Sequence, residues 1–334
     1  MKKIIITTIS VIIPLTIFIA CPGPTPPSSP DAGQYHTYAE IVTEMQALQD
    51  EYPMIARVSI LGQSIEQRNI LAIKISDNVA TDEEEPELLF VGGHHAREWI
   101  SVDVPFLLAK YLLKNYATDN RIKNLVDNGE IWIVPMLNPD GHQYTVTTDR
   151  LWRKNRRNNG DGSYGVDLNR NYGYQWGGPG SSGDTYSETY RGTEAFSEPE
   201  TQILRELMAS HHFKSMISYH SFSQLVLYPW GYTSAAAPDK ALMQQMANTI
   251  ASDILAVHGK RYTAEQSATL YLASGDATDW LYGTTTVPSF TIELRPTSSN
   301  PGFQLPESEI QPTFEENLPA ALYLIDWSET SGSN

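Results

Sequence analysis

Cysteine is nearly absent from this chain: 334 residues contain one, Cys21. A folded part without cysteine pairs cannot rely on disulfides, so burial and hydrogen bonding must hold it together. Basic charge is scarce too, with 23 Lys and Arg against 39 Asp and Glu and a formal net charge of −16. No cationic excess is left to neutralise phosphates, which excludes nucleic acid as a partner. Internal repeats are also missing. What is present, 41% hydrophobic and 19% charged residues, is the composition of a globular protein with a sizeable core. The acidic balance favours association with cations and says nothing about fold.

The one long apolar run lies at the N-terminus. Lys2 and Lys3 precede Ile4-Ile5-Ile6, and the run continues to Ile17-Phe18-Ile19-Ala20. Residues 1–20 read as a secretory signal; the competing reading, a membrane anchor, needs a longer span. Cys21 stands where such a signal would be cut. That position resembles a bacterial lipoprotein box, with Phe18 where leucine is commonest, and makes Cys21 a candidate lipid acceptor. Residues 21–33, rich in Pro and Ser, form a semi-rigid tether. The expected location is extracytoplasmic, secreted or lipid-anchored at the surface or in the periplasm of a bacterium. Residues 34–329 remain as a single globular domain.

Along that domain, Ile41, Met45 and Leu48 fall at helical spacing and predict a helix over 38–52, ended by Pro53. Residues 54–61 and 70–76 flank a turn and predict an antiparallel pair. Strands are expected at 87–91, 130–137, 215–220, 224–228 and 287–294, and helices at 102–116, 198–211, 240–258, 277–282 and 306–327. Asn138-Pro139-Asp140-Gly141 reads as a turn. Between 149 and 196 periodicity disappears, and a stretch that long inside a domain is functional or disordered. Alternating strands and helices with one hairpin imply an α/β fold: a mixed, mostly buried sheet with helices on both faces.

Polar residues at strand ends carry the chemistry. After Glu87-Leu88-Leu89-Phe90-Val91, two glycines turn the chain and His94, His95, Arg97 and Glu98 follow at once. Imidazole and carboxylate donors suit zinc, whose catalytic sites use three protein ligands and leave one position open. His95 and Glu98 supply two; His94, their neighbour, would point elsewhere from an extended backbone. His220 after Met216-Ile217-Ser218-Tyr219, Glu293 in Phe290-Thr291-Ile292-Glu293-Leu294, and Asp167 in Asp167-Leu168-Asn169-Arg170 also end strands or occupy the aperiodic loop. In α/β sheets ligands bind beyond the carboxyl ends of strands.

His95-Ala96-Arg97-Glu98-Trp99, Leu151-Trp152-Arg153-Lys154, Asp167-Leu168-Asn169-Arg170-Asn171, Ser218-Tyr219-His220-Ser221 and the Glu293 strand, in this order and spacing, resemble the zinc metallocarboxypeptidases of the carboxypeptidase A/B family. Ser187-Glu188-Thr189-Tyr190-Arg191-Gly192 and the stretch from Pro296 to Phe303 are most similar to the bacterial carboxypeptidase T type. The resemblance implies one Zn2+ per chain on His95, Glu98 and His220, with Asp167 orienting a ligand histidine. It implies Glu293 as general base for a zinc-activated water and Arg153 as stabiliser of the oxyanion. Asn169, Arg170 and Tyr271 match the clamp on the substrate's terminal carboxylate, and Arg97 a subsite farther out. The released side chain would sit among Gly231, Thr269, Ala273, Asp276, Thr278 and Thr291. Thr278 is neutral where strict basic-residue enzymes carry an acid, so hydrophobic ends should be preferred and basic ends tolerated. Asp276 is read two ways, as a pocket acid or as the cap of the helix it precedes.

The resemblance further implies a monomer acting on peptides with a free C-terminal carboxylate, and a cis peptide between Arg295 and Pro296. Ser163 and Tyr186 occupy the positions of the animal enzymes' internal disulfide. Asp77, Asp82, Glu83, Glu84, Glu85 and Glu87 crowd oxygen donors into one loop, read either as a solvated face or as a structural Ca2+ site. A cell-wall peptide amidase and a catalytically silent peptide-binding lipoprotein are the rival readings.

Overall fold

The computed structural model describes residues 34–331; the leader, the tether and Cys21 lie outside them. In chain order the elements are α1 (Tyr38–Glu51), β1 (Ala56–Gln63), β2 (Asn69–Ile75), β3 (Glu87–Val91), α2 (Ile100–Asn115), α3 (Asn120–Asp127), β4 (Glu130–Val134) and α4 (Pro139–Thr147). There follow α5 (Pro199–Ser210), β5 (Phe213–Ser221), β6 (Leu225–Tyr228), α6 (Lys240–His258), β7 (Thr263–Gln266), α7 (Ala277–Thr285), β8 (Ser289–Leu294) and α8 (Ile310–Ser331). The strands form one 8-stranded sheet in the order β1-β2-β4-β3-β5-β8-β6-β7. Its centre, β4-β3-β5-β8, is parallel; β1, β2 and β4 pair antiparallel, as do β6 and β8.

Period-two alternation distributes the central strands between two cores. Leu88 and Phe90 of β3 and Ile131 and Ile133 of β4 face a core shared with α1, α2, α6 and α8. Leu89, Val91 and Val134 point the other way, onto α5 and α7. Both faces of β3 are therefore apolar, as a strand covered on two sides requires. The α/β expectation, with helices on both faces, holds.

Three expectations need correction. The segment 138–141 does not simply turn: it opens α4, with Pro139 at the first helical position and the Asn138 side chain accepting from the Gly141 N–H at 2.9 Å. Pro at that position forfeits only an N–H that a helix start leaves unbonded anyway. The strand expected over 130–137 stops at Val134, because Pro135 follows and has no N–H to give the ladder. α3 and β7 were not anticipated; α3 is only two turns long, although its buried Ile122, Leu125 and Val126 do fall at helical spacing, and β7 is a four-residue polar edge strand with no periodic apolar signal.

Residues 149–196 hold only a 3-10 turn, Leu168–Arg170, among the described elements. They are nonetheless tied down: Asn155 Nδ2 donates to Glu198 at 2.7 Å, and Arg157 Nε to the same carboxylate at 2.7 Å.

Candidate metal centre and active site

The site lies beyond the carboxyl ends of β3, β5 and β8. Register places His220 of β5 directly opposite Glu293 of β8, and β3 delivers Gly92 and Gly93 immediately before His94 and His95. A Cβ on Gly92 would come within 2.0 Å of the Ser101 carbonyl oxygen, and Gly93 has φ +67°. Only glycine turns the chain here and lets α2 start so close.

Three donors converge. His95 Nδ1 lies 2.9 Å from Glu98 Oε1, His220 Nδ1 lies 3.0 Å from Glu98 Oε2, and the two imidazole nitrogens face each other at 3.1 Å. All three residues are buried. Two imidazole nitrogens and a carboxylate around one point are the donor set of a catalytic zinc. Bonds of about 2.0–2.1 Å put tetrahedral donors roughly 3.3 Å apart, close to these separations. The residues fit the ion.

The far nitrogens are held in turn. His95 Nε2 is 3.1 Å from Asp167 Oδ1, and His220 Nε2 is 3.1 Å from Ser218 Oγ. Such partners fix ring orientation and make the imidazole a better donor. Asp167 also accepts from Arg153 Nε and Nη2 at 3.0 and 2.8 Å and from the Asn169 N–H at 3.0 Å. Burial alone would raise its pKa, but Arg153 and His95 hold it well below the usual carboxylate range. Burial likewise opposes ionisation of Glu98, and the two histidines outweigh it, leaving Glu98 below its ordinary value. His94 stays out of the donor set: its Nε2 meets Tyr172 Oη at 2.8 Å, and burial keeps the ring neutral.

Glu293 is buried, and that burial together with the Glu98 carboxylate pushes it up to about 8. A dication on the three donors would draw it down toward neutrality, the range in which a carboxylate exchanges a proton most usefully. Arg170 donates from Nε to the Gly180 carbonyl at 2.9 Å and from Nη1 to the Asn169 carbonyl at 2.6 Å. Its guanidinium lies 5.7 Å from the Tyr271 ring, which is 48% exposed. Asn169 Oδ1 accepts from the Ala277 N–H at 3.0 Å, coupling this turn to the start of α7.

The two oxygens of Asp276 are placed differently. Oδ1 caps α7, accepting from the Asp279 N–H at 2.8 Å and the Thr278 hydroxyl at 2.7 Å. Oδ2 is buried without a hydrogen-bond partner and would lie 3.0 Å from a Cβ on Gly231. Ala273, Thr278 and Thr291 are buried nearby in sequence and strand, whereas Thr269 is exposed. The Gly231 and Tyr232 N–H groups are fixed by Asp279 at 2.9 Å.

Sequence reasoning assigned no role to Glu188, Phe303 or Ser218. Arg97 stacks on Phe303, 4.2 Å from the ring centre, and donates to Glu188 at 3.2 Å. Ser218 could have been found from period two alone, since it shares a strand face with His220. The Arg295–Pro296 peptide is cis.

The acidic loop separates into two groups. Asp77, Glu83 and Glu85 gather in one; Asp82 and Glu87 gather with His211 in another, and Glu84 joins neither. Glu83 Oε2, Glu85 Oε2 and Glu130 Oε2 are buried without partners.

A family model described as zinc carboxypeptidase matches residues 41–320. A zinc carboxypeptidase of Saccharothrix mutabilis subsp. capreolus is 37% identical over 305 residues, covering 88% of this chain and 70% of that one. Carboxypeptidase B of Astacus astacus is 38% identical over 294 residues, covering 86% and 95%. Among solved structures, thrombin activatable fibrinolysis inhibitor superposes with a TM-score of 0.86 at 32% identity, over 91% of this chain and 76% of that one. With a buried two-histidine, one-carboxylate donor set at the strand ends of the same fold, the chain belongs to the zinc carboxypeptidase family and is a metallocarboxypeptidase.

Proposed function

We propose that this enzyme removes single residues from the free C-termini of peptides, with hydrophobic ends preferred and basic ends tolerated. The observation that carries the reading is the joining of the three donors to a carboxylate-gripping turn through one side chain, Asp167. It bonds His95 and Arg153 and caps the turn that bears Asn169 and Arg170. His95, Glu98 and His220 would hold zinc, which when bound supplies a Lewis acid and a water of lowered pKa. Glu293, opposite His220, would accept a proton from an attacking water and later pass it to the departing amine. Arg153, held by Asp167, presents a fixed positive charge to the oxyanion. Arg170, with Nη2 free of any hydrogen bond among the described residues, grips the terminal carboxylate together with Asn169 and Tyr271.

Specificity follows from the space beside Gly231. Apolar contact there is worth roughly 1.5–3 kcal/mol for a Phe or Leu side chain. Asp276 Oδ2, unbonded at the same wall, adds attraction for Lys or Arg and repels acidic ends. Arg97 and Phe303 line the next part of the groove. We take the working unit to be a monomer; every residue of this reading comes from one copy. Asp77, Glu83 and Glu85, with the unpartnered buried oxygen of Glu130 beside them, hold a structural Ca2+; Asp77 and Glu83 are among the charges that raise Glu85 to about 7, after burial itself. The leader and Cys21 support export and lipid anchoring.

The test is Arg170→Gln assayed on a pair of peptides that differ only in a free or amidated C-terminus. Wild type should cleave the free peptide far faster. In the variant that ratio should collapse through loss on the free peptide alone; an unchanged ratio would remove Arg170 from the clamp.

A further inference from the structure

A second cavity adjoins the groove. It measures about 340 Å³ and is lined by Tyr144, Trp152, Lys154, Arg156, Tyr164 and Tyr186, a volume within the range of small-ligand sites. Glu188 also lines it, and the same carboxylate accepts from Arg97 at 3.2 Å. Groove and cavity thus share a wall.

The segment from Trp152 to Arg156 serves both. Arg153 reaches Asp167, and Asn155 reaches Glu198, inside the protein. Trp152, Lys154 and Arg156 alternate with them and line the cavity.

Arg156 is the unusual member. Its guanidinium carbon lies 3.7 Å from the Tyr144 ring centre, 4.7 Å from Trp152 and 4.9 Å from Tyr164. Three rings surround it, yet among the described residues no carboxylate or carbonyl takes any of its N–H groups. Lys154, by contrast, is engaged, donating to the Thr185 carbonyl at 3.0 Å. Tyr164 and Tyr186, 40% and 68% exposed, leave the cavity open, and Tyr186 Oη is anchored to the Asp161 carbonyl at 3.0 Å. A planar guanidinium, held among rings and with its N–H groups unpaired, matches a carboxylate's two oxygens. Partial desolvation by the rings strengthens that pairing over one in open water.

We propose that this cavity is a substrate subsite that selects an acidic side chain, Asp or Glu, on the N-terminal side of the cleaved bond, with Arg156 as its recognition residue. The inference rests on the exopeptidase reading and adds to it a preference away from the released residue. Glu188, paired with Arg97 at 3.2 Å, forms the wall between groove and cavity.

The experiment uses peptides ending in one Phe, with Glu, Gln or Lys placed in turn at the second to fifth residue upstream of the cleaved bond. Wild-type kcat/KM should favour Glu over Gln by about three- to tenfold at one position, the gain shrinking as salt rises. Arg156→Gln should abolish that preference while cleaving the Gln peptides at the wild-type rate. Arg156→Lys, which keeps charge and packing but not the planar fork, should retain only part of it. Affinity of the same peptides for Glu293→Gln reads the subsite without turnover. Equal rates and affinities for Glu and Gln at every position in the wild-type chain, or a preference that survives Arg156→Gln, would overturn the assignment. Failure to cleave any free C-terminus is a different result: it would refute the exopeptidase reading, while the binding measurement still decides the subsite.

Discussion

Two clusters in this molecule gather metal-binding side chains, and they are built differently. At the ends of β3 and β5, His95, Glu98 and His220 are all buried, and each histidine has its second nitrogen bonded, one to Asp167 and one to Ser218. In the acidic loop, Asp77 is exposed, Glu83 and Glu85 are half-buried, and among the described residues no side chain hydrogen-bonds their carboxylates. The strand-end donors are aimed before an ion arrives, by groups whose own positions the sheet fixes. The loop donors are like charges that repel one another, so a cation they took would have to set their geometry. Zinc, with few ligands and short bonds, demands the first construction, whereas Ca2+ takes six to eight oxygens in flexible arrangements and tolerates the second.

The largest effect should come from separating base from ligand at the strand-end site. Glu293→Gln removes the proton acceptor and no donor atom, so it should keep its zinc and bind substrate while kcat falls roughly 10²–10⁴-fold. Loss of metal in this variant would make Glu293 a ligand and redraw the site.

An intermediate effect is expected at Asp276, whose two oxygens divide between cap and pocket. Asp276→Asn still caps α7 through its side-chain oxygen but carries no charge. Release of C-terminal Lys and Arg should drop by up to about fivefold, the worth of a partly solvated ion pair, while release of Phe and Leu stays unchanged. Equal losses on all four ends would reduce Asp276 to a cap.

The smallest effect is thermal. Burial, with Asp77, Glu83 and Glu130 nearby, raises Glu85 to about 7, and Asp77 is raised as well. A carboxyl whose folded pKa exceeds its unfolded value favours the folded state below the unfolded pKa and loses that contribution as pH rises through the folded one. Without calcium, the melting temperature should therefore decline by a few degrees between about pH 5 and pH 8. Millimolar Ca2+ should offset the decline by pairing the carboxylates. A pH 8 melting temperature indifferent to calcium would leave the loop a solvated face.

The same contrast explains what the sequence disclosed. β3 and α6 were legible to the residue, because their apolar patterns are dictated by burial on the sheet and against α8. His95 and Glu98 were legible as a pair, being three residues apart on one turn. His220 stands 125 residues from His95, and no periodicity joins them; its place at a strand end made it a candidate, and the resemblance to a known family assigned it as the third donor. α4 was hidden because an Asn-Pro-Asp-Gly string looks the same when it turns a chain as when it starts a helix. Arg156 was unreadable for another reason. Its significance lies in rings from Tyr144, Trp152 and Tyr164 closing on it without a carboxylate, which spacing along the chain does not encode.

Metal analysis tests the central claim most directly. After exhaustive dialysis against a weak chelator with excess Ca2+ present, the wild-type chain should retain one zinc, and so should Glu293→Gln. His95→Ala, Glu98→Ala and His220→Ala should retain none while staying folded, and none of the three should release a C-terminal residue. Zinc retained at full stoichiometry in His220→Ala, or wild-type protein that keeps its turnover after every zinc is stripped, would contradict the account.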